Sequence, residues 1–190
     1  MPVLSPELDL YPDELLSDEG EPDHASERVW WVLHTKPRQE KSLVRQLHRS
    51  GIPYYLPLIP RRWRLRGRMM TSHLPLFPSY VFLRGDRQER VSALSTNRVV
   101  RSLEVVDQRG LWRDLRQIHR LIAAGMPIAP ENRLTSGTPV EITSGPLTGL
   151  RGKVLRSASG NRFVVQIDFI QQGASVVLDD YTLTRVHDQA

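Results

Sequence analysis

At Arg28 the chain changes abruptly from an acidic, proline-interrupted stretch to Val29-Trp30-Trp31-Val32-Leu33-His34-Thr35, a β-rich run suited to a buried strand. After Pro37, Leu43, Val44 and Leu47 fall on one face of a short amphipathic helix, with Lys41, Arg45, His48 and Arg49 mostly on another and Gly51 ending it. Ile52 to Ile59, broken by Pro53 and Pro57, predicts an edge strand or an extended connection. Arg61 to Met70 then alternates, with Trp63 and Leu65 set between Arg62, Arg64, Arg66 and Arg68, and Arg66-Gly67-Arg68 offers a hairpin turn. Leu76 to Leu83 is an aromatic strand whose approach is held by prolines, Asp86 can cap a helix through Leu94, and Val99 to Val106 reads as another strand. Trp112, Leu115, Ile118, Leu121 and Ile122 recur at helical spacing until Gly125.

The order β, α, β, β, α, β, α over residues 28–125 predicts an α+β fold, an α/β sandwich of helices on an antiparallel sheet. Residues 126–136, with Pro127 and Pro130, are a linker by composition. Residues 137–188 are all strand and turn: Thr138 to Ile142, Leu150 to Ser157, Arg162 to Phe169, Ala174 to Leu178 and Leu183 to Val186. Five short strands in that length predict a small β-barrel, because curling the sheet closes most of its edges. Within it Phe163, Val165, Ile167 and Phe169 alternate with polar or smaller neighbours and are assigned to the interior. Gly145, Gly149 and Gly152 mark a turn feeding a strand, where positive φ is expected.

Charge divides the chain more sharply than its total of +5 shows. Residues 1–27 hold nine acids and no Lys or Arg, with Pro2, Pro6, Pro12 and Pro22 among them, and are expected to form a disordered acidic tail. The remaining 163 residues carry all 26 basic residues against 12 acids, a surplus that suits a polyanionic partner. The absence of cysteine excludes disulfide frameworks, thiolate metal sites and cysteine nucleophiles. No stretch approaches the roughly 18 apolar residues of a membrane span and no basic start precedes an apolar run, so the expectation is a soluble cytoplasmic monomer. The six histidines are scattered without metal-ligand spacing, and no strong paired-carboxylate motif occurs, which argues against an enzyme and against a metal or cofactor.

Several segments together carry a family resemblance. Trp30-Trp31-Val32, Lys36-Pro37-Arg38-Gln39-Glu40 and Leu76-Phe77-Pro78-Ser79-Tyr80-Val81-Phe82 resemble the NusG N-terminal (NGN) domain. Gly137 to Ile142 and the glycine-rich turn from Gly145 to Val154 resemble a KOW domain. In this order, joined by a linker, they identify the chain as similar to the NusG family of transcription elongation and antitermination factors. Its nearest likeness is to the specialised RfaH-like paralogues: Pro75-Leu76-Phe77-Pro78 has their form, the Arg66-Gly67-Arg68 hairpin is short, and Ser79 stands where housekeeping factors usually have glycine. Asn97-Arg98 departs from the family, which often has a glycine before the following valine.

The resemblance implies that residues 28–125 bind the clamp helices of the RNA polymerase largest subunit. Trp31, Tyr54, Phe77, Tyr80 and Phe82 are the candidate contacts, since aromatics are enriched at such interfaces. It also implies contact with upstream or non-template DNA, for which Lys36, Arg38, Lys41, Arg45, Arg62, Arg64, Arg66 and Arg68 are the candidates. The implied effect is suppression of pausing or termination, with the KOW domain recruiting a ribosomal small-subunit protein or the termination factor Rho. In some RfaH-type proteins that domain also adopts an α-helical hairpin; here the β-branched runs Val164 to Ile167 and Ser175 to Leu178 favour the barrel at rest. The competing reading is a KOW-type nucleic-acid-binding protein that acts without RNA polymerase.

Overall fold

The computed structural model describes residues 8–23, 26–131, 137–157, 160–177 and 183–185. It divides into two compact units, residues 1–112 and 113–190. The strands of the first unit are β1 (Leu10–Tyr11), β2 (Val29–Thr35), β3 (Tyr54–Tyr55), β4 (Leu58–Leu65), β5 (Arg68–Pro75), β6 (Tyr80–Gly85) and β7 (Val99–Glu104). Its helices are α1 (Glu40–Arg49) and α2 (Arg87–Ser95), and α3 (Gln108–Ala123) begins in it.

Five strands form an antiparallel sheet in the order β1-β3-β6-β2-β7, and β4 and β5 pair only with each other. Register sorts the side chains. Tyr11, Tyr54, Leu83 and Trp31 lie in one row across the sheet, and Leu10, Tyr55, Phe82, Val32 and Leu103 in the next row, on the opposite face. The first face meets Leu43, Val44 and Leu47 of α1 and Ala93 of α2 in one apolar cluster. The second face is covered as well, since Tyr55, Phe82 and Val32 have no exposed surface. Asp86 caps α2 through a reciprocal box: its side chain accepts from the Glu89 N–H (2.8 Å) and its own N–H donates to the Glu89 carboxylate (2.9 Å).

The acidic tail departs from expectation. Its residues 8–23 are folded: β1 adds to the sheet edge beside β3, and 3-10 turns follow at Asp13–Leu16 and Asp18–Gly20. Leu10, Leu15 and Leu16 are buried, the Leu56 N–H donates to the Asp9 carbonyl (2.7 Å), and the Arg84 guanidinium donates to the Gly20 carbonyl. The physical reason is the edge itself. Without β1 the short strand β3 would present unpaired backbone groups beside two buried tyrosines, and the few leucines of the acidic stretch are spaced to cover them. Residues 1–7 and 24–25 of that stretch lie outside the described residues.

In the second unit β8 (Ala129–Glu131), β9 (Thr138–Ile142), β10 (Arg151–Ser157), β11 (Gly160–Ile167), β12 (Gln172–Val177) and β13 (Leu183–Arg185) form a sheet in the order β13-β9-β10-β11-β12-β8. Six strands therefore replace the five expected, because part of the composition-defined linker pairs with β12. Residues 132–136 of that linker, the ends of the predicted strands at Leu178 and Val186, and residues 187–188 lie outside the described residues. Phe163, Val165 and Ile167 are buried, but so is Val164 between them, and Phe169 sits in a 3-10 turn, 38% exposed. Gly145 and Gly149 have φ of 84° and 82°, but Gly152 does not. It is needed for space: a Cβ there would stand 2.3 Å from the Val164 carbonyl oxygen. The boundary between the units falls inside α3, after Trp112. Beyond it, Gln117 accepts from the Arg151 N–H (2.6 Å), Arg120 donates to the Thr148 carbonyl (2.6 Å) and Asp114 accepts from the Asp168 N–H (3.2 Å).

Candidate functional site

The end of the sheet where β2 stops and β6 begins carries the surface of interest. His34 and Tyr80 are register partners on the second face, their rings 5.4 Å apart edge to face, and both are half-buried. One row further in, on the same face, Phe82 is fully buried against Phe77 (6.4 Å, 89°). The His34–Tyr80 pair is thus the open end of an otherwise covered apolar face. On the other side of β2, His34 pairs with Arg101, and a register shift between His34 and Thr35 follows. The His34 Nδ1 is buried without a hydrogen-bond partner.

The backbone beside Tyr80 is held in an uncommon conformation. Ser79 has φ 66°, its carbonyl accepts from the Thr35 N–H (2.8 Å), and its N–H donates to the carboxylate of the buried Glu40 (2.7 Å). The left-handed backbone favours glycine at this position, since glycine enters that region freely and the serine found here only at a cost of roughly 1 kcal/mol. Ser79→Gly is therefore expected to gain about 0.5 to 1 kcal/mol of stability. Glu40→Ala, which removes a charged acceptor from a partly buried N–H, should lose about 1.5 to 3 kcal/mol, with Glu40→Gln losing less. Urea unfolding of the three variants checks both signs.

Asn97 resolves the other departure from glycine in the same way. Its φ is 57°, a conformation that asparagine tolerates, and its side chain accepts from the Lys36 ammonium (3.0 Å). Arg98 then donates to Ser42 (2.8 Å) and Gln46 (2.9 Å) of α1, fixing the helix that supplies Glu40. His34, Glu40, Asn97 and Arg98 were absent from the sequence-derived candidates. The departure at Asn97-Arg98 and the Lys36 to Glu40 segment are the signals that pointed toward any of them.

Of the five aromatic candidates, four are corrected to core. Trp31 is 7% exposed, its indole N–H donates to the Gly85 carbonyl (3.0 Å), and the Arg90 guanidinium covers its ring at 4.6 Å. Tyr54, Phe77 and Phe82 are at most 1% exposed, and the Tyr54 hydroxyl donates to the Leu8 carbonyl (3.2 Å). Tyr80 alone of the five is not buried.

The eight basic candidates fall in two groups. Lys36 and Arg38 are exposed in the loop after β2, and Lys41 and Arg45 follow on α1, with Lys41 half-buried. Arg62, Arg64, Arg66 and Arg68 are exposed on the β4–β5 hairpin, whose two-residue turn at Arg66-Gly67 has φ of 47° and 78°. Among the described residues no group of three His, Cys, Asp or Glu is arranged to hold a metal ion, and no helix is long and apolar enough to cross a membrane.

The model of the NusG family, described as transcription termination factor NusG, matches residues 28–123, half of the chain. No curated protein matches the sequence. A solved structure of the MjSpt4:Spt5 complex, conformation A, is similar at 14% identity and a TM-score of 0.24, covering 83% of this chain and 99% of that one.

Proposed function

The chain belongs to the NusG family of transcription factors, and from that premise we propose that its N-terminal unit docks on the clamp helices of the RNA polymerase largest subunit through the His34–Tyr80 shelf. One observation carries the reading: Tyr80 is the only aromatic candidate left at the surface, at the open end of an apolar face. A half-buried aromatic on a packed base is the kind of residue enriched at interface hot spots. A factor bound there would favour one clamp conformation by differential affinity and so suppress pausing or termination.

Lys36, Arg38, Lys41 and Arg45 would add salt-dependent affinity for upstream or non-template DNA. The second unit, read as a KOW domain, would recruit a ribosomal small-subunit protein or Rho. The specialised, RfaH-like role is supported by Ser79, which stands where housekeeping factors usually have glycine, and by the short hairpin turn.

Retention on immobilised RNA polymerase tests the docking. The intact chain should bind, and Tyr80→Ala should weaken binding about 30-fold, the loss expected of a hot-spot aromatic, with its unfolding midpoint nearly unchanged. Wild-type affinity in both Tyr80→Ala and His34→Ala would overturn the shelf. A chain that binds DNA or RNA but never polymerase would instead be a KOW-type nucleic-acid-binding protein.

A further inference from the structure

The β4–β5 hairpin is a ribbon paired to no other strand, and its two faces differ. Register places Ile59 opposite Leu74, Arg61 opposite Ser72, Trp63 opposite Met70 and Leu65 opposite Arg68, all on one face. The other face carries Arg62 opposite Thr71 and Arg64 opposite Met69. Trp63 is 39% exposed, the only one of the four tryptophans not buried; Trp30, Trp31 and Trp112 are all below 9%. No acidic residue occurs from Leu58 to Pro75. Among the described residues none forms an ion pair with Arg61, Arg62, Arg64, Arg66 or Arg68.

We propose that the Trp63–Met70 face of this ribbon is a stacking platform for an unpaired DNA strand, with Arg61 and Arg68 on the same face gripping its phosphates. A flat indole beside a thioether presents a surface for the face of a base, and stacking on an aromatic needs no particular base. Arg61 lies two residues from Trp63, about 6.8 Å along the strand, within reach of a phosphate flanking a stacked base. A protein partner fits less well, because the cores of protein interfaces are depleted in charge whereas arginines lie on both faces here. A duplex would present base edges, for which Trp63 and Met70 have no matching acceptor or paired donors. The inference deepens the nucleic-acid part of the function proposed above and rests on it for the choice of DNA over RNA.

The burial of the other three tryptophans makes the test direct. At low salt, a short oligothymidylate added to the full chain should quench the exposed tryptophan fluorescence, while the matching blunt duplex quenches far less. Trp63→Ala should bind the oligothymidylate about tenfold more weakly and Trp63→Phe should recover most of that loss. Arg61→Ala should flatten the dependence of affinity on salt. No binding at low salt, equal quenching by the duplex, or unchanged affinity in Trp63→Ala would overturn the platform. Tighter binding of oligouridylate than oligothymidylate would overturn the assignment to DNA. Retention on RNA polymerase separates this from the docking proposal: Trp63→Ala should be retained like the intact chain, and Tyr80→Ala should still bind oligothymidylate. Loss of polymerase retention in Trp63→Ala with unaltered DNA affinity would make the face a protein contact and overturn the inference alone.

Discussion

Phe82→Ala is expected to lose about 3 to 5 kcal/mol of folding free energy, and Phe77→Ala a similar amount, while Tyr80→Ala loses under about 1 kcal/mol. Phe82 is fully buried at the centre of the row formed by Leu10, Tyr55, Val32 and Leu103, and Phe77 closes on it edge to face. Truncation removes the transfer free energy of the ring and leaves a cavity that five hydrogen-bonded strands cannot collapse. Tyr80 lies two residues away on the same face but retains accessible surface, so its removal opens no cavity. Urea unfolding of the three variants measures the contrast. A Phe82→Ala protein as stable as the parent would mean that this face is open, and Phe82 would return to the list of direct contacts. The contrast also sets the controls for docking experiments, since lost activity in Phe77→Ala reports on folding before it reports on polymerase.

Removal of residues 1–23 should have the next largest effect, lowering the unfolding free energy by about 3 kcal/mol. That is the cost of emptying one large core site, reduced from the burial of three leucines because the ordering entropy of the segment is released. The same deletion should alter the titration of Tyr54. Its pKa is pushed up to about 12, first by burial and then by the charges of Asp9 and Tyr11, both of which lie in the deleted segment. Because the folded state holds this proton more tightly than the unfolded state, Tyr54 contributes stability below pH 10 that is lost as pH rises toward 12. Tyr54 of the truncated protein should ionise at lower pH, read by tyrosinate absorbance with Tyr54→Phe to assign the signal. An unchanged titration and an unchanged unfolding midpoint would show that the segment does not hold the sheet edge.

Much of the N-terminal fold was legible because its signals are local. The β-rich run from Val29 to Thr35, the apolar stripe of α1 and the Asp86 cap each depend on a few neighbouring residues, and each element forms where expected. The hairpin was legible for the same reason, since Arg66-Gly67 can take the left-handed pair of angles that a two-residue turn requires. The second unit was legible as strands and turns, but β8 was not, because a strand containing Pro130 at a sheet edge carries no periodic signal.

The site divides along the same line. By itself the sequence determined which residues could serve: the aromatics of β2 and β6, a basic surplus outside the first 27 residues, and arginines alternating along a ribbon. Tertiary structure decided which of them are available. Tyr80 and Phe82 are two residues apart on one strand and share a face, so no periodicity distinguishes them; one is core and the other surface only because the covering of that face stops between them. The acidic segment likewise lacks the composition to fold alone, and becomes ordered where β3 offers an unpaired edge and Tyr54 and Tyr55 offer apolar area. Local propensity is a property of the chain, whereas burial is a property of what arrives opposite it.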